Sequence, residues 1–61
     1  MNDALESKIL NTRCDELIIA VRPRNGWVRC QTVKQIAFAR EKIALGHYDW
    51  ARRVLDGVAA H

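Results

Sequence analysis

Cysteine and histidine are the side chains in this sequence best suited to binding a transition metal. The chain has two of each, at Cys14, Cys30, His47 and His61. Zinc sites usually take ligand pairs from short chelating loops, and neither pair here has that spacing. We therefore predict that the protein binds no metal and no cofactor, and that both cysteines are reduced and buried.

Hydrolytic chemistry would need a nucleophile, a base and an orienting group within reach of one another. The hydroxyl nucleophiles are Ser7, Thr12 and Thr32, and none has a neighbouring histidine or acidic motif. The sequence also lacks a glycine-rich phosphate-binding loop. We expect His47, which follows Gly46, to be solvated or to cap a helix rather than to act as a base. The sequence therefore predicts a protein that is not an enzyme.

Aromatic and basic residues occur together in two places, around the Asn25-Gly26 dipeptide and near residue 50. Arginine and tryptophan together can hold a phosphate and stack on a base. They are also the residue types most enriched among the energetically dominant contacts of protein interfaces. The predicted partner-binding residues are Arg22, Arg24, Trp27, Arg29, Lys34, Tyr48, Trp50 and Arg53.

The length of 61 residues predicts a single domain, residues 1–61. Hydrophobic residues make up 49% of the chain, which is enough for a compact core, and a homodimer would bury further apolar surface. The net charge of +3 is compatible with nucleic acid, but the dense basic stripe of a dedicated nucleic-acid binder is missing.

The sequence carries no recognisable membrane or export signal. No apolar run is long enough to span a bilayer, and the N-terminus lacks the basic start and apolar segment of a signal peptide. We therefore expect a cytoplasmic protein with no membrane partner. The initial Met and the short length suggest the complete product of a small gene, of the kind that phages and mobile elements carry.

A helical pattern of apolar residues extends through the first third of the chain. Asp3 and Glu6 resemble a capping box, and Pro23 disfavours a helical Arg22, so we predict a helix over residues 3–22. Its predicted apolar face consists of Leu10, Cys14, Leu17 and Val21, widened by Leu5, Ile9 and Ile18.

Residues 17–31 also fit a β-hairpin. Residues 17–22 and 27–30 are rich in β-branched side chains, and the Asn25-Gly26 dipeptide between them is a strong turn signal. We favour the helix because the helical pattern continues unbroken from Leu5, but the hairpin stays open as the alternative.

Two further helices are predicted in the second half. Thr32 and Gln35 form a capping-box pattern, so one helix is expected to begin near Thr32 and to end at Gly46. Its predicted apolar residues are Val33, Ile36, Ala37, Ile43 and Ala44, with Phe38 and Leu45 on a second face.

The last helix is expected over residues 48–60, with Ala51, Val54, Leu55 and Val58 inside and the ion pairs Asp49–Arg53 and Arg52–Asp56 outside. The predicted fold is an all-α, compact three-helix domain with a C-terminal antiparallel helical hairpin.

The turn before the last helix carries a family resemblance. Residues 45–51, Leu-Gly-His-Tyr-Asp-Trp-Ala, with Leu55 and Val58, resemble the middle of a tetratricopeptide repeat. The resemblance covers residues 35–58 in one copy and implies a helical hairpin with a close approach at Ala51. It departs from the repeat at Gln35, which stands where the family has Trp, and at Lys42, which stands where the family has Tyr.

Ile43, Gly46 and Tyr48 are also similarly spaced to an isoleucine, a glycine and a tyrosine in flagellar anti-sigma factors. That resemblance implies a small protein that occludes a larger one. Residues 32–37 look like the opening of a DNA-binding helix-turn-helix, but Glu41 stands where its turn glycine is expected. We therefore predict a protein-binding inhibitor or adaptor, with a nucleic-acid-binding regulator that uses the basic loop as the alternative.

Overall fold

The computed structural model describes residues 3–60, and the regular structure in that range is helical throughout. Helix α1 spans Asp3–Ala20, α2 spans Gly26–Ala44 and α3 spans Tyr48–Ala59. Each helix packs against both of the others. The predicted all-α three-helix fold is therefore confirmed. His61, one of the residues weighed as a metal ligand, lies outside the described residues.

A short turn, and not a β-hairpin, connects α1 to α2. Asn25 has the extended backbone of a helix N-cap (φ −62°, ψ 159°), and its side-chain oxygen accepts a hydrogen bond from the Val28 amide at 2.9 Å. The Asn25-Gly26 dipeptide therefore begins a helix, and the hairpin alternative for residues 17–31 is wrong. The same cap explains why α2 begins at Gly26 and not near Thr32.

Asn25→Ala should remove this cap and lower the free energy of unfolding by about 1 kcal/mol. The Val28 amide would lose its side-chain acceptor, while the rest of the fold would keep its contacts. Urea unfolding followed by circular dichroism measures the change. Asn25→Ser is the matched control, because serine also caps helices. Equal losses in the two variants would contradict a capping role for Asn25.

Gly46 makes the tight turn between α2 and α3, as predicted. Its φ is +83°, in the left-handed region that glycine adopts without steric cost. The Gly46 amide donates to the Ile43 carbonyl at 3.0 Å, and the His47 amide donates to the Lys42 carbonyl at 2.8 Å. These are the two hydrogen bonds of a Schellman motif, which ends a helix and redirects the chain. The turn lays α3 antiparallel against α2, which is the predicted C-terminal hairpin.

The hydrophobic core lies where the three helices meet. Ala39 and Ala51 are fully buried, and their small side chains let the helices approach closely. The predicted inner face of α3 is confirmed, with Val54 packed at its edge. The core residues are Leu10, Cys14, Ile36, Ala39, Ile43, Ala51, Leu55 and Val58.

Several residues predicted to be buried lie on the surface. Leu5 and Ile9 are exposed because α2 and α3 cover only the opposite side of α1. Cys30 is also exposed, contrary to the prediction, because a helix that begins at Gly26 turns it away from the core. Cys14 is buried as predicted, and burial raises the pKa of its thiol. Three residues predicted on the apolar face of α2 are also exposed: Val33, Ala37 and Ala44.

Candidate protein-binding groove

Both tryptophans lie on one groove between α2 and α3. Trp27 is in the first turn of α2 and Trp50 is in the first turn of α3, so the antiparallel hairpin places them at opposite ends. Neighbouring surface hollows that share lining residues connect the two ends. We call this surface the aromatic groove. It is lined by Trp27, Gln31, Lys34, Gln35 and Phe38 from α2 and by Trp50, Arg53 and Val54 from α3.

The α2 side of the groove comes from one stripe of side chains. Trp27, Gln31, Lys34 and Phe38 follow the i, i+4, i+7, i+11 spacing, so they lie on a single helix face. The buried residues of α2, which are Ile36, Ala39 and Ile43, form a second stripe on a different face of the same helix. Because one rigid helix carries both stripes, packing of the core fixes the direction in which the groove residues point.

The large aromatic side chains of the groove are unusually exposed. The exposed fraction is 73% for Trp27, 50% for Trp50 and 40% for Phe38. Single exposed apolar residues are ordinary on a protein surface, whereas several on one concave surface are typical of a binding site. Aromatic side chains in such a position can bury much area on contact with a partner.

The Trp50 end of the groove is held by contacts among its own side chains. The Phe38 and Trp50 rings meet edge to face, with centroids 5.8 Å apart. The Lys42 ammonium lies 4.1 Å from the Trp50 ring centroid and 4.9 Å from that of Phe38, within cation–π range. The His47 ring also lies nearby, with its centroid 6.2 Å from that of Trp50. This end therefore presents a preformed aromatic surface, while Trp27 at the other end projects alone.

The groove is positively charged. Arg24 lies beside Trp27, Lys34 lies midway, and Arg53 lies next to Trp50. The acidic residue at its border is Asp49, which accepts a hydrogen bond from Arg52 at 3.0 Å. An acidic ligand would therefore meet cations along the whole length of the groove.

The ion pairs of α3 differ from those predicted. Asp49 pairs with Arg52 and not with Arg53, and Arg52 also pairs with Glu6 of α1. Asp56 pairs with Arg13 at 2.6 Å. Arg52 and Asp56 pair with residues of α1, which runs alongside α3 and offers partners that the sequence of α3 alone does not show. As a result Arg53 has no ion-pair partner within residues 3–60 and is free to meet a ligand.

Arg29, which the sequence predicts as a partner-binding residue, forms hydrogen bonds within the chain. Its guanidinium donates hydrogen bonds to the Arg22 carbonyl at 3.1 Å and to the Arg24 carbonyl at 3.2 Å. Arg29 therefore braces the turn between α1 and α2. Arg22 and Arg24 remain exposed around that turn.

The structure brings together residues from the two groups that the sequence analysis predicted as separate binding sites. Trp27 and Lys34 come from the predicted first group, Trp50 and Arg53 from the second, and all four line the aromatic groove. Tyr48 lies half-buried at the Trp50 end, packed against the core. The residues that sequence reasoning missed are Gln31, Gln35, Phe38, Lys42 and Val54. The helical spacing that begins at Trp27 finds Gln31 and Phe38 once the start of α2 at Gly26 is known.

No known protein family, curated protein or solved structure matches this chain. Among residues 3–60, no helix is long and apolar enough to cross a membrane. In the same range, no three side chains of His, Cys, Asp or Glu come together as metal ligands would.

Proposed function

We propose that this protein is a small protein-binding module that acts as an inhibitor or adaptor of a larger protein by steric occlusion. The observation that carries the proposal is the exposure of Trp27, Phe38 and Trp50 along one groove. A small domain gains stability by burying large aromatic rings, so leaving three of them at the surface is costly unless a partner covers them.

The shape and charge of the groove indicate the kind of segment that would bind. A groove between two antiparallel helices accepts an amphipathic helix, whose apolar residues lie at i, i+3, i+4 and i+7. Arg24, Lys34 and Arg53 would pair with acidic residues that flank those apolar positions. The proposed ligand is therefore an amphipathic helix with acidic edges, presented by a larger protein.

The position of the groove supports occlusion as the mode of action. It occupies the side of the α2–α3 hairpin away from α1, so a helix bound there would be covered by α2 and α3 along its apolar face. A helix covered in this way could not engage another protein through the same face. The same contact would serve an adaptor if other surfaces of the chain bound a second protein.

Affinity capture from a lysate of the source organism, with and without nuclease, tests the proposal. We expect one protein to be retained in stoichiometric amount after nuclease treatment. Arg53→Glu, which reverses a charge in the groove, should reduce recovery at least about tenfold. Arg22→Glu is the matched control, since it reverses an exposed charge outside the groove and should leave recovery unchanged.

A nucleic-acid-binding regulator is the second candidate, favoured by the exposure of Arg22, Arg24 and Trp27 around one turn. This candidate predicts the opposite outcome of the affinity capture. Recovery would then depend on intact nucleic acid, and Arg22→Glu would lower it more than Arg53→Glu. That pattern would overturn the protein-binding proposal.

A further inference from the structure

Helix α1 carries a second stripe of side chains, apolar at three of its five positions, on the side that faces away from the core. Leu5, Ile9 and Ile19 are 53%, 55% and 59% exposed. Thr12 and Glu16 complete the stripe, so its members recur at alternating steps of four and three residues from Leu5 to Ile19. We call these residues the outer seam of α1: Leu5, Ile9, Thr12, Glu16 and Ile19.

The outer seam has the period of a coiled-coil interface. Alternating steps of three and four residues keep side chains on one line that faces a partner helix. The inner stripe, with Leu10 and Cys14, has the same period and packs on α2 and α3. A surface helix that packs on its domain through one face needs an apolar stripe on that face only. The second stripe on α1 thus has no counterpart within residues 3–60.

We propose that the outer seam binds the outer seam of a second copy of this chain, with the two α1 helices antiparallel. A self-complementary contact of this kind repeats every interaction through a twofold axis. Leu5 and Ile19 stand at the two ends of the seam, so an antiparallel partner brings one apolar end against the other. Thr12 lies at the middle, where the two copies cross.

The charges on this face favour the antiparallel orientation. Lys8 flanks the N-terminal half of the seam, and Glu16 lies in its C-terminal half. Neither forms an ion pair within residues 3–60. An antiparallel copy brings Lys8 of one chain near Glu16 of the other, twice by symmetry. A parallel copy would instead place Glu16 against Glu16, and like charges there would oppose association.

A second copy also suits the size of the domain. A chain of 61 residues has a small core, and association through α1 would bury apolar surface that the monomer leaves in water. The outer seam lies on α1, whereas α2 and α3 form the aromatic groove. Dimerisation therefore leaves the groove open, and this inference does not depend on the proposed function.

Sedimentation equilibrium of the purified chain over a range of concentrations tests the inference. We expect a monomer–dimer equilibrium whose dissociation constant rises at least about 100-fold in Ile9→Lys, because the twofold axis makes each dimer lose two isoleucines. Leu45→Lys is the matched control: Leu45 is 60% exposed and lies outside the seam. Its dissociation constant should stay at the wild-type value. A chain that is monomeric at every concentration, or equal effects of the two variants, would overturn the inference.

A charge exchange tests the orientation and keeps the core untouched. Glu16→Lys should weaken the dimer about tenfold, because Lys8 of one chain would then face a lysine of the other. Adding Lys8→Glu to that variant should restore the wild-type dissociation constant, since the pair is re-formed with its signs exchanged. Failure of the double variant to recover would refute the antiparallel contact. Circular dichroism of each variant confirms that the helices are retained.

Discussion

Leu55→Ala is expected to leave most of the protein unfolded near room temperature. Leu55 is fully buried at the junction of the three helices. Truncating a buried leucine costs about 2–5 kcal/mol, because contacts are lost and a cavity remains. A core in a domain of this size rarely supplies more than about 3–5 kcal/mol of stability. The substitution therefore removes most of the free energy of unfolding. Urea unfolding followed by circular dichroism measures the loss.

Leu45→Ala is the matched control for this prediction. The chemical change is the same, but Leu45 is 60% exposed at the end of α2. Surface substitutions of this kind usually change stability by less than about 0.5 kcal/mol. Similar unfolding midpoints for the two variants would mean that Leu55 does not hold the helices together as described.

Trp50→Ala and Trp27→Ala should each weaken binding of the captured partner by more than about 2 kcal/mol, or about 30-fold in dissociation constant. The two rings anchor opposite ends of the aromatic groove, and both are at least half exposed in the free chain. Calorimetric titration of the partner measures the loss. The free energy of unfolding should change much less than in Leu55→Ala, because neither ring belongs to the core.

Val33→Ala provides the control for these binding measurements. Val33 is 40% exposed on α2, the helix that carries Trp27, but it does not line the aromatic groove. Its removal should leave the dissociation constant of the partner unchanged. If both tryptophan variants bind as tightly as the wild-type chain, the groove is not the binding surface.

Local signals in the sequence were enough to predict α3 and the turn before it. Gly46 ends α2 in the expected left-handed conformation, and Ala51, Leu55 and Val58 face the core at the expected spacing. These features depend on neighbours within one or two helical turns. A reading of the sequence alone can therefore reach them.

The start of α2 could not be settled in the same way. Asn25-Gly26 serves equally as a hairpin turn and as a helix N-cap, and the β-branched residues on either side fit both. A predicted start at Thr32 puts Trp27 on a loop and breaks the stripe from Trp27 to Phe38. The sequence alone therefore does not predict the aromatic groove, although it does predict most of the charged and aromatic residues that line it as binding residues.

The ion pairs and the exposed side of α1 depend on tertiary packing. The pairs Arg52–Glu6 and Arg13–Asp56 join helices that are far apart in sequence, and they replace the Arg52–Asp56 pair predicted within α3. The sequence predicts Leu5 and Ile9 to be buried, because the spacing of apolar residues along a helix does not show which side of the helix is covered. Only the packing of α2 and α3 on one side of α1 separates the two stripes.

The most direct test of the central claim follows the indole groups of Trp27 and Trp50 by nuclear magnetic resonance. These are the two tryptophans of the chain, so labelling it with ¹⁵N-tryptophan gives one indole signal from each end of the aromatic groove. Adding the unlabelled captured partner should shift or broaden both signals in proportion to the bound fraction. Signals that stay in place while the partner binds would show that it docks elsewhere and would contradict a groove-binding function.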